Sequence, residues 1–211
     1  MPTAYVVPTT LSTTTNNAVG SPIPHPAGYQ GDAYYGKVHG DFYAANKNGA
    51  VFSAQATAKT VPVVAANMAS VFSVYNPIGN SKVLELISAE VGVVLATTVV
   101  DVVGLHYEKF TSAPTYTAGT PISNLLGSGN LPTAVYCTAL THVAMGTGAT
   151  ARCAQVTGFP AVTSTAVSPA PYFFNGRVLV PAGVAVSFAV STTVWTTTGM
   201  DLSLTWAEWP A

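Results

Sequence analysis

The segment Met68–Leu95, MASVFSVYNPIGNSKVLELISAEVGVVL, carries the pattern that decides the fold class. Its first part, Met68–Tyr75, is rich in β-branched and aromatic residues, which favour strands. Asn76–Asn80 combines Asn, Pro and Gly and therefore predicts a turn. From Lys82 the side chains alternate between two faces, as they do along a strand. One predicted face holds Val83, Glu85, Ile87 and Ala89, and the other holds Leu84, Leu86, Ser88 and Glu90.

Further strand segments lie on both sides of this one, separated by Gly or Pro. Gly146–Gly148 predicts a hairpin loop, and Pro181–Gly183 predicts a turn that pairs the strands around it. Only Pro121–Leu126 has a helix signal, because Pro is tolerated at a helix start. We predict strands over Tyr34–Tyr43, Gly49–Ala56, Thr97–Lys109, Ala134–Met145, Thr150–Val156, Arg177–Val180, Val184–Ser191 and Asp201–Trp206. The pattern predicts an all-β fold, an antiparallel β-sandwich that is jelly-roll-like and forms a single domain over residues 36–211.

Residues 1–35 differ from the rest of the chain. They contain five Pro residues and a polar run over Ser12–Asn17, without helical or alternating periodicity. This composition predicts an extended N-terminal arm. We expect the arm to lie across a neighbouring subunit, held by backbone hydrogen bonds and by the apolar anchors Tyr5, Val6, Val7, Ile23 and Tyr29.

Charge is scarce in this chain. Only 7% of its 211 residues are charged, against about 25% in an ordinary soluble domain, whereas 49% are hydrophobic. Seven Lys and Arg stand against eight Asp and Glu, and no basic cluster is present. This balance excludes the phosphate neutralisation that nucleic-acid binding requires. A protein surface with so few charges has little protection against association with other proteins. We therefore expect this surface to be largely covered by other protein.

The sequence also lacks the patterns of export and of membrane insertion. Met1–Pro8 has neither a basic n-region nor an apolar h-region. The longest apolar stretch, Val91–Leu105, contains Asp101 and falls short of the roughly 18 apolar residues of a membrane span. We therefore expect a protein that is made in a cytoplasm and has no membrane partner.

Candidate chemistry is sparse. His106 and Glu108 would share one face of a strand, and His39 and Asp41 have the same spacing. A metal site needs a third or fourth ligand, so we interpret both pairs as polar residues on an exposed strand end or at a subunit contact. The sequence does not exclude a hydrolytic site built from two carboxylates. It contains neither the Gly-x-Ser-x-Gly motif of a serine nucleophile nor a phosphate-binding loop. We predict no catalytic, cofactor-binding or metal-binding residues and hence no enzyme.

Two cysteines and two tryptophans each leave alternatives open. Cys137 and Cys153 are either two buried thiols or a single disulfide across the predicted hairpin. Either the last strand buries Trp206 in the core while Trp209 caps the sandwich or an interface, or both tryptophans stack on sugars. Buried carboxylates need partners. We expect Glu85, Glu90 and Asp101 to pair with cations among Lys82, Lys109, Arg152 and Arg177.

Several turn and strand-end segments resemble tailed-bacteriophage virion proteins over about residues 35–211. The similar segments are Phe72–Leu86, Ser123–Asn130, Val180–Val186 and Leu204–Glu208. The resemblance implies a non-enzymatic virion structural protein, in particular a capsid decoration or cement protein that stabilises the phage head. It further implies a homo-oligomer whose partners include other virion proteins such as the major capsid protein, located in the virion.

Two alternatives remain beside this interpretation. The chain could be a tail or head-fibre component, or a receptor- or glycan-binding module that uses exposed aromatic residues. A cellular surface-layer or filament subunit would need an export route, which the sequence does not show.

Overall fold

The computed structural model describes residues 42–65, 67–93, 101–143, 145, 152–159, 167–190 and 199–211. These residues form two antiparallel β-sheets and one short helix, which confirms the predicted all-β sandwich. The predicted arm, residues 1–35, and most of the predicted strand Tyr34–Tyr43 lie outside the described residues. The elements are α1 Tyr43–Lys47, β1 Val51–Lys59, β2 Ala69–Ser70, β3 Ser73–Tyr75, β4 Lys82–Val93, β5 Asp101–Lys109, β6 Tyr116–Ala118, β7 Ile122–Ser123, β8 Val135–Thr141, β9 Arg152–Phe159, β10 Val167–Phe173, β11 Leu179–Val180, β12 Val184–Val190 and β13 Met200–Pro210.

The first sheet has the strand order β10-β4-β13-β1-β7, and β11 also pairs with β4. The second sheet has the order β2-β8-β3-β12-β5-β9, and β6 also pairs with β8. The large apolar side chains of both sheets meet between them. Trp206 and Phe52 of the first sheet are fully buried there with Leu105 and Phe188 of the second and with Phe72, which lies between β2 and β3. On the opposite side of the first sheet, α1 covers a smaller apolar cluster. Both faces of the first sheet are therefore partly covered.

An irregularity in β4 changes which side chains face the core. Thr205 lies opposite Ser88 but Trp206 lies opposite Leu86, so Ile87 is an extra residue on β4. Such a bulge reverses the alternation. Leu84 and Leu86 face the core before it, whereas Ala89 and Val91 do so after it. The predicted faces of β4 are therefore correct up to the bulge, and the placement of Ala89 with Val83 is wrong.

The two predicted hairpins do not form. β8 pairs with β2, β3 and β6, whereas β9 pairs with β5, so three strands lie between β8 and β9 in the sheet. β11 pairs with β4 of the first sheet and β12 belongs to the second, so Pro181–Gly183 is a turn that crosses between sheets. Pro121–Leu126 also differs from its prediction, since it contains the short strand β7 in place of a helical turn.

Two buried polar residues fix the connections between the sheets. The Asn76 side chain donates to the carbonyls of Lys82 and Val180, both at 2.9 Å. The Glu208 carboxylate accepts hydrogen bonds from both the backbone and the hydroxyl of Thr133, from Ala134 N, and from Lys82 Nζ at 3.0 Å. Lys82 therefore pairs with Glu208 and not with the carboxylates that the sequence suggested.

Burial opposes ionisation of Glu208. The hydrogen bonds from Ala134, Thr133 and Lys82 outweigh that effect and hold the pKa of the carboxyl below its usual range. The charged carboxylate therefore ties the loop before β8, in the second sheet, to β13 and β4 in the first.

Candidate functional site

A row of polar side chains crosses the face of the second sheet that points away from the main core. Val186 and Phe188 of β12 face that core, so Ser187 between them points to the other side. Ser187 lies opposite Ser73 of β3 and opposite His106 of β5. All three side chains are fully buried. The pairing of β3, β12 and β5 thus places two hydroxyls and an imidazole side by side.

The end of β8 adds a histidine to this row. His142 Nδ1 lies 2.7 Å from Glu108 Oε2, and His142 Nε2 lies 2.8 Å from Ser187 Oγ. The backbone N–H of Val143 donates to both Glu108 oxygens at 3.2 Å. We call His106, Glu108, His142 and Ser187 the outer-face cluster.

Two further serines extend the hydrogen bonds beyond Ser187. Ser187 Oγ lies 2.6 Å from Ser73 Oγ, Ser73 is hydrogen-bonded to Ser70, and Ser70 Oγ lies 3.4 Å from the Leu140 carbonyl. With Nδ1–H donated to the Glu108 carboxylate, neutral His142 accepts a hydrogen bond from the Ser187 hydroxyl at Nε2. The hydroxyls can reverse their direction, because each of them both donates and accepts. The chain of hydroxyls therefore tolerates either protonation state of His142.

His106 is the unsatisfied member of the outer-face cluster. Its side chain is fully buried, neither ring nitrogen makes a hydrogen bond of normal geometry, and an interaction with the Gly104 backbone favours the charged form of the ring. On β9, Arg152 lies opposite it. Burial, together with the charges of Arg152 and His142, lowers the pKa of His106 from 6.5 to about 4. The prediction that His106 and Glu108 lie at an exposed strand end is therefore wrong, since both are buried.

The order carboxylate, imidazole, hydroxyl is the one by which hydrolases activate a serine. Here, however, Ser187 Oγ is enclosed. Its exposure is 0%, and the Ser73 hydroxyl lies against it. The Phe110 ring covers His142 at 5.9 Å between ring centroids. A substrate carbonyl cannot reach Ser187 in this structure, and Glu108, His142 and Ser187 form a satisfied buried hydrogen-bond network.

The remaining predicted sites fall into three groups. The arm residues Tyr5, Val6, Val7, Ile23 and Tyr29 lie outside the described residues, as do His39 and Asp41. Within the described part of the chain, no group of three or more His, Cys, Asp or Glu side chains has metal-binding geometry. Cys137 and Cys153 form the third group.

Cys137 and Cys153 are both free thiols. They lie on β8 and β9, which three intervening strands separate, whereas a disulfide needs Cα atoms within about 7 Å. The disulfide alternative is therefore wrong for this fold. Burial raises the pKa of Cys137 to about 12 and that of Cys153 to about 11, so neither thiol is a reactive thiolate near neutral pH.

Exposed apolar side chains concentrate in the segment Ile122–Leu131, which we call the apolar loop. Leu126 is 81% exposed and Leu131 is 78% exposed, and Ile122 and Leu125 are exposed as well. The loop turns at Gly127 and Gly129, whose φ angles of +77° and +70° favour glycine. A second exposed group lies on the outer face of the first sheet. Leu179 lies opposite Glu85, the Trp209 indole hydrogen-bonds to Glu85, and Phe173 lies opposite Ser88 further along β4.

The two tryptophans behave differently. Trp206 is fully buried in the core, as one of the two alternatives predicts. Trp209 is 38% exposed, and its indole N–H donates to Glu85 Oε2 at 2.7 Å. Glu85 therefore takes an indole N–H and Lys82 pairs with Glu208, unlike the pairing expected from the sequence.

No family model, curated protein or solved structure matches the chain. Within the described ranges, no helix has the length and apolar character needed to cross a membrane.

Proposed function

We propose that the protein is a non-enzymatic virion structural protein, a capsid decoration or cement protein of a tailed phage that stabilises the head through subunit contacts. The observation that carries the assembly role is the apolar loop, which holds four aliphatic side chains in solvent. Exposed apolar clusters of this kind are typical of interaction sites. The phage setting is supported by the resemblance of the turn and strand-end segments and by the scarcity of charge.

The charge distribution supports docking through this part of the chain. Between Lys109 and Asp201 the only charged residues are Arg152 and Arg177, and the apolar loop lies inside this interval. An interface built here desolvates few charges, so apolar burial is opposed by little electrostatic cost. The partners we propose are further copies of the chain and the major capsid protein.

The edges of the sheets favour docking by loops and faces over strand addition. Edge strand β10 contains Pro169 and Pro171, which remove two backbone donors. Edge strand β9 pairs with β5 through two register shifts, so Cys153 and Val156 are extra residues. Proline and bulges both hinder the pairing of an edge with another chain.

The proposed mechanism has a second part, which rests on the sequence. Residues 1–35 lie extended across a neighbour and anchor it through Tyr5, Val6, Val7, Ile23 and Tyr29. Weak single contacts become effective when many copies bind together, because each later contact forms within the same assembly.

Substitution of the apolar loop tests the assembly role. The double variant Leu126→Ser, Leu131→Ser removes the two most exposed leucines of the loop and leaves the core intact. We expect self-association, measured by sedimentation, to weaken at least about tenfold, since buried Leu side chains contribute about 1.5–3 kcal/mol each. Leu179→Ser, an exposed leucine on β11, is the matched control and should change little. Equal association of the double variant and the parent chain contradicts the role of the loop.

Mass spectrometry of purified particles tests the virion setting. Phage particles from the source that encodes the chain should contain it in many copies, associated with heads. Its absence from such particles contradicts the proposal and leaves the assembly role to be explained in another setting.

A second candidate function is glycan binding at the edge of the first sheet. Phe173 and Trp209 are both exposed on one face of that sheet. The Glu85 carboxylate orients the Trp209 indole, and Phe173 lies opposite Ser88 further along β4. Aromatic faces beside a carboxylate suit polyhydroxyl ligands, and Trp206 takes no part because it is buried. A glycan array with Trp209→Ala as the control tests this: binding that the substitution abolishes favours it, and an empty array contradicts it.

A further inference from the structure

The chain contains two Asn–Gly pairs, Asn48–Gly49 and Asn175–Gly176. In such a pair the backbone nitrogen of Gly can attack the Asn side-chain carbonyl, because Gly has no Cβ to hinder the approach. The attack forms a cyclic succinimide and releases ammonia, and water then opens the ring to aspartate or isoaspartate. The surroundings of the two glycines decide which pair reacts in the folded chain.

Asn175–Gly176 forms the centre of an exposed turn after β10. Arg177 N donates to the Phe174 carbonyl at 3.0 Å, and the φ angles of Asn175 and Gly176 are +50° and +74°. Both central residues therefore have positive φ, as in a type I′ turn. The hydrogen bond that closes this turn uses the Arg177 N–H, so it does not hold the Gly176 nitrogen. Asn175, Gly176 and Arg177 are all exposed to solvent.

Asn48–Gly49 is held more firmly, at the end of α1. Asn48 is exposed but Gly49 is buried. Gly49 N donates to the Asn46 carbonyl at 2.8 Å. The Asn130 amide packs against Gly49, where a Cβ would overlap it. Attack by the Gly49 nitrogen must therefore break its own hydrogen bond and disturb this packing.

We propose that Asn175 is a self-modification site, at which the folded chain deamidates by attack of the Gly176 nitrogen on the side-chain carbon Cγ of Asn175. The new bond joins Gly176 N to Cγ, and the bond from Cγ to the amide nitrogen breaks. That nitrogen leaves as ammonia and takes the proton of the Gly176 N–H. Water then opens the ring: opening at Cγ gives aspartate, and opening at the main-chain carbonyl gives isoaspartate, whose main chain contains an additional methylene group.

The charged groups next to Gly176 have opposite signs. Glu85 Oε1 of β4 lies 3.3 Å from the position that a Cβ on Gly176 would take, and Arg177 follows Gly176 in the chain. A nearby carboxylate hinders loss of the Gly176 amide proton, whereas a guanidinium favours it. The reactivity of Asn175 therefore rests on the exposure of the turn and on a nitrogen outside the turn hydrogen bond, and these charges do not produce it.

Deamidation changes the surface around Trp209. The product adds a carboxylate one residue from the Gly176 backbone, against which Glu85 lies, and Glu85 also accepts the Trp209 indole N–H. The formal net charge of the chain, −1, becomes more negative. Because unpaired charges are costly to bury, this surface becomes less suited to an interface as the protein ages.

Peptide mapping by mass spectrometry tests the site in the full-length protein, incubated in neutral buffer for increasing times. We expect Asn175 to convert about tenfold faster than Asn48 in the folded chain, because attack at Asn48 costs an additional backbone hydrogen bond. In urea that unfolds the chain, both pairs should convert at similar rates, since their surroundings are lost. The product at Asn175 should contain isoaspartate, which only the succinimide route forms.

A pair of variants gives a second measurement. Asn175→Gln keeps an amide, but its longer side chain would form a larger ring that closes slowly. This variant should no longer accumulate the acidic species that the parent chain shows on isoelectric focusing. Asn48→Gln is the matched control and should accumulate it like the parent chain.

Three results overturn the proposal. Equal conversion of Asn48 and Asn175 in the folded chain shows that the turn gives no selectivity. A preference for Asn175 that persists unchanged in urea assigns the selectivity to the neighbouring sequence and not to the fold. Aspartate without isoaspartate at Asn175 excludes the attack by Gly176.

Discussion

Ser187 lies in the middle of β12, a strand whose seven residues are all buried. A polar side chain in such a strand is visible in the sequence, but its partners are not, because they come from β3 and from the residues after β8. His106 and Glu108 could be placed on one face from their spacing alone. Their burial could not, since it depends on what packs over the strand.

Removal of the Ser187 hydroxyl should destabilise the fold without removing an activity. Ser187→Ala leaves His142 Nε2 without its partner, which should cost about 1–3 kcal/mol in urea unfolding. Ser203→Ala, at a half-buried serine of β13, is the control and should cost less.

A serine-directed fluorophosphonate should not label the chain, because Ser187 is fully buried. Labelling that Ser187→Ala abolishes contradicts a non-enzymatic protein.

Glu208 should stabilise the fold in a pH-dependent way. Its pKa lies below the ordinary value of 4.5 in the folded chain, so its contribution is present above that value and is lost as the pH falls through the folded-state pKa. Glu208→Gln should lower the free energy of unfolding by about 2 kcal/mol near pH 7, since it weakens hydrogen bonds to a charged group. The difference should shrink in acid. Glu90→Gln, on β4, is the matched carboxylate control, and a loss independent of pH contradicts the assignment.

At the scale of the elements, strands were easier to predict than their pairing. The alternation of β4 is correct as far as Leu86, where the bulge at Ile87 reverses it. The bulge cannot be recognised from the amino-acid composition of the strand, because the extra residue, Ile87, is itself apolar. The hairpin predictions were wrong for a related reason: a turn between two strand segments does not specify whether the second strand returns beside the first or enters the other sheet.

The turn at Gly183 makes such a crossing and should be sensitive to a side chain. Gly183 has a φ of +80°, and a Cβ there would lie 3.3 Å from the Phe110 carbonyl oxygen. Gly79 has the same φ with nothing within 4 Å, so it reports backbone strain alone. Gly79→Ala should cost about 1–2 kcal/mol in urea unfolding. Gly183→Ala should cost more, and equal costs would show that the contact with Phe110 is unimportant.

At the scale of the whole molecule, the all-β sandwich could be predicted because it depends on periodicity and on turn residues, which are local. The apolar loop could not be recognised in the same way. In the sequence, Pro121–Leu126 has a helix signal and Ser123–Asn130 is only a turn or strand-end segment. The exposure of Leu126 and Leu131 depends on how the surrounding strands pair, which the sequence does not show.

The arm has a test at this scale that the loop variants do not provide. Deletion of residues 2–30 removes all five predicted anchors at once: Tyr5, Val6, Val7, Ile23 and Tyr29. The shortened chain should keep its β-sheet circular dichroism, because the described sandwich begins at Phe42. It should lose self-association. Unchanged association of the shortened chain contradicts the arm as an assembly element and leaves the apolar loop as the contact.

The mass of the full-length protein in solution, measured by light scattering over a range of concentrations, tests the central claim most directly. Assembly through the apolar loop and the arm predicts a defined oligomer whose mass is a multiple of 21.6 kDa. A stable monomer of 21.6 kDa at every concentration contradicts self-assembly. Glycan binding at the surface around Trp209 would then be the leading proposal for the function.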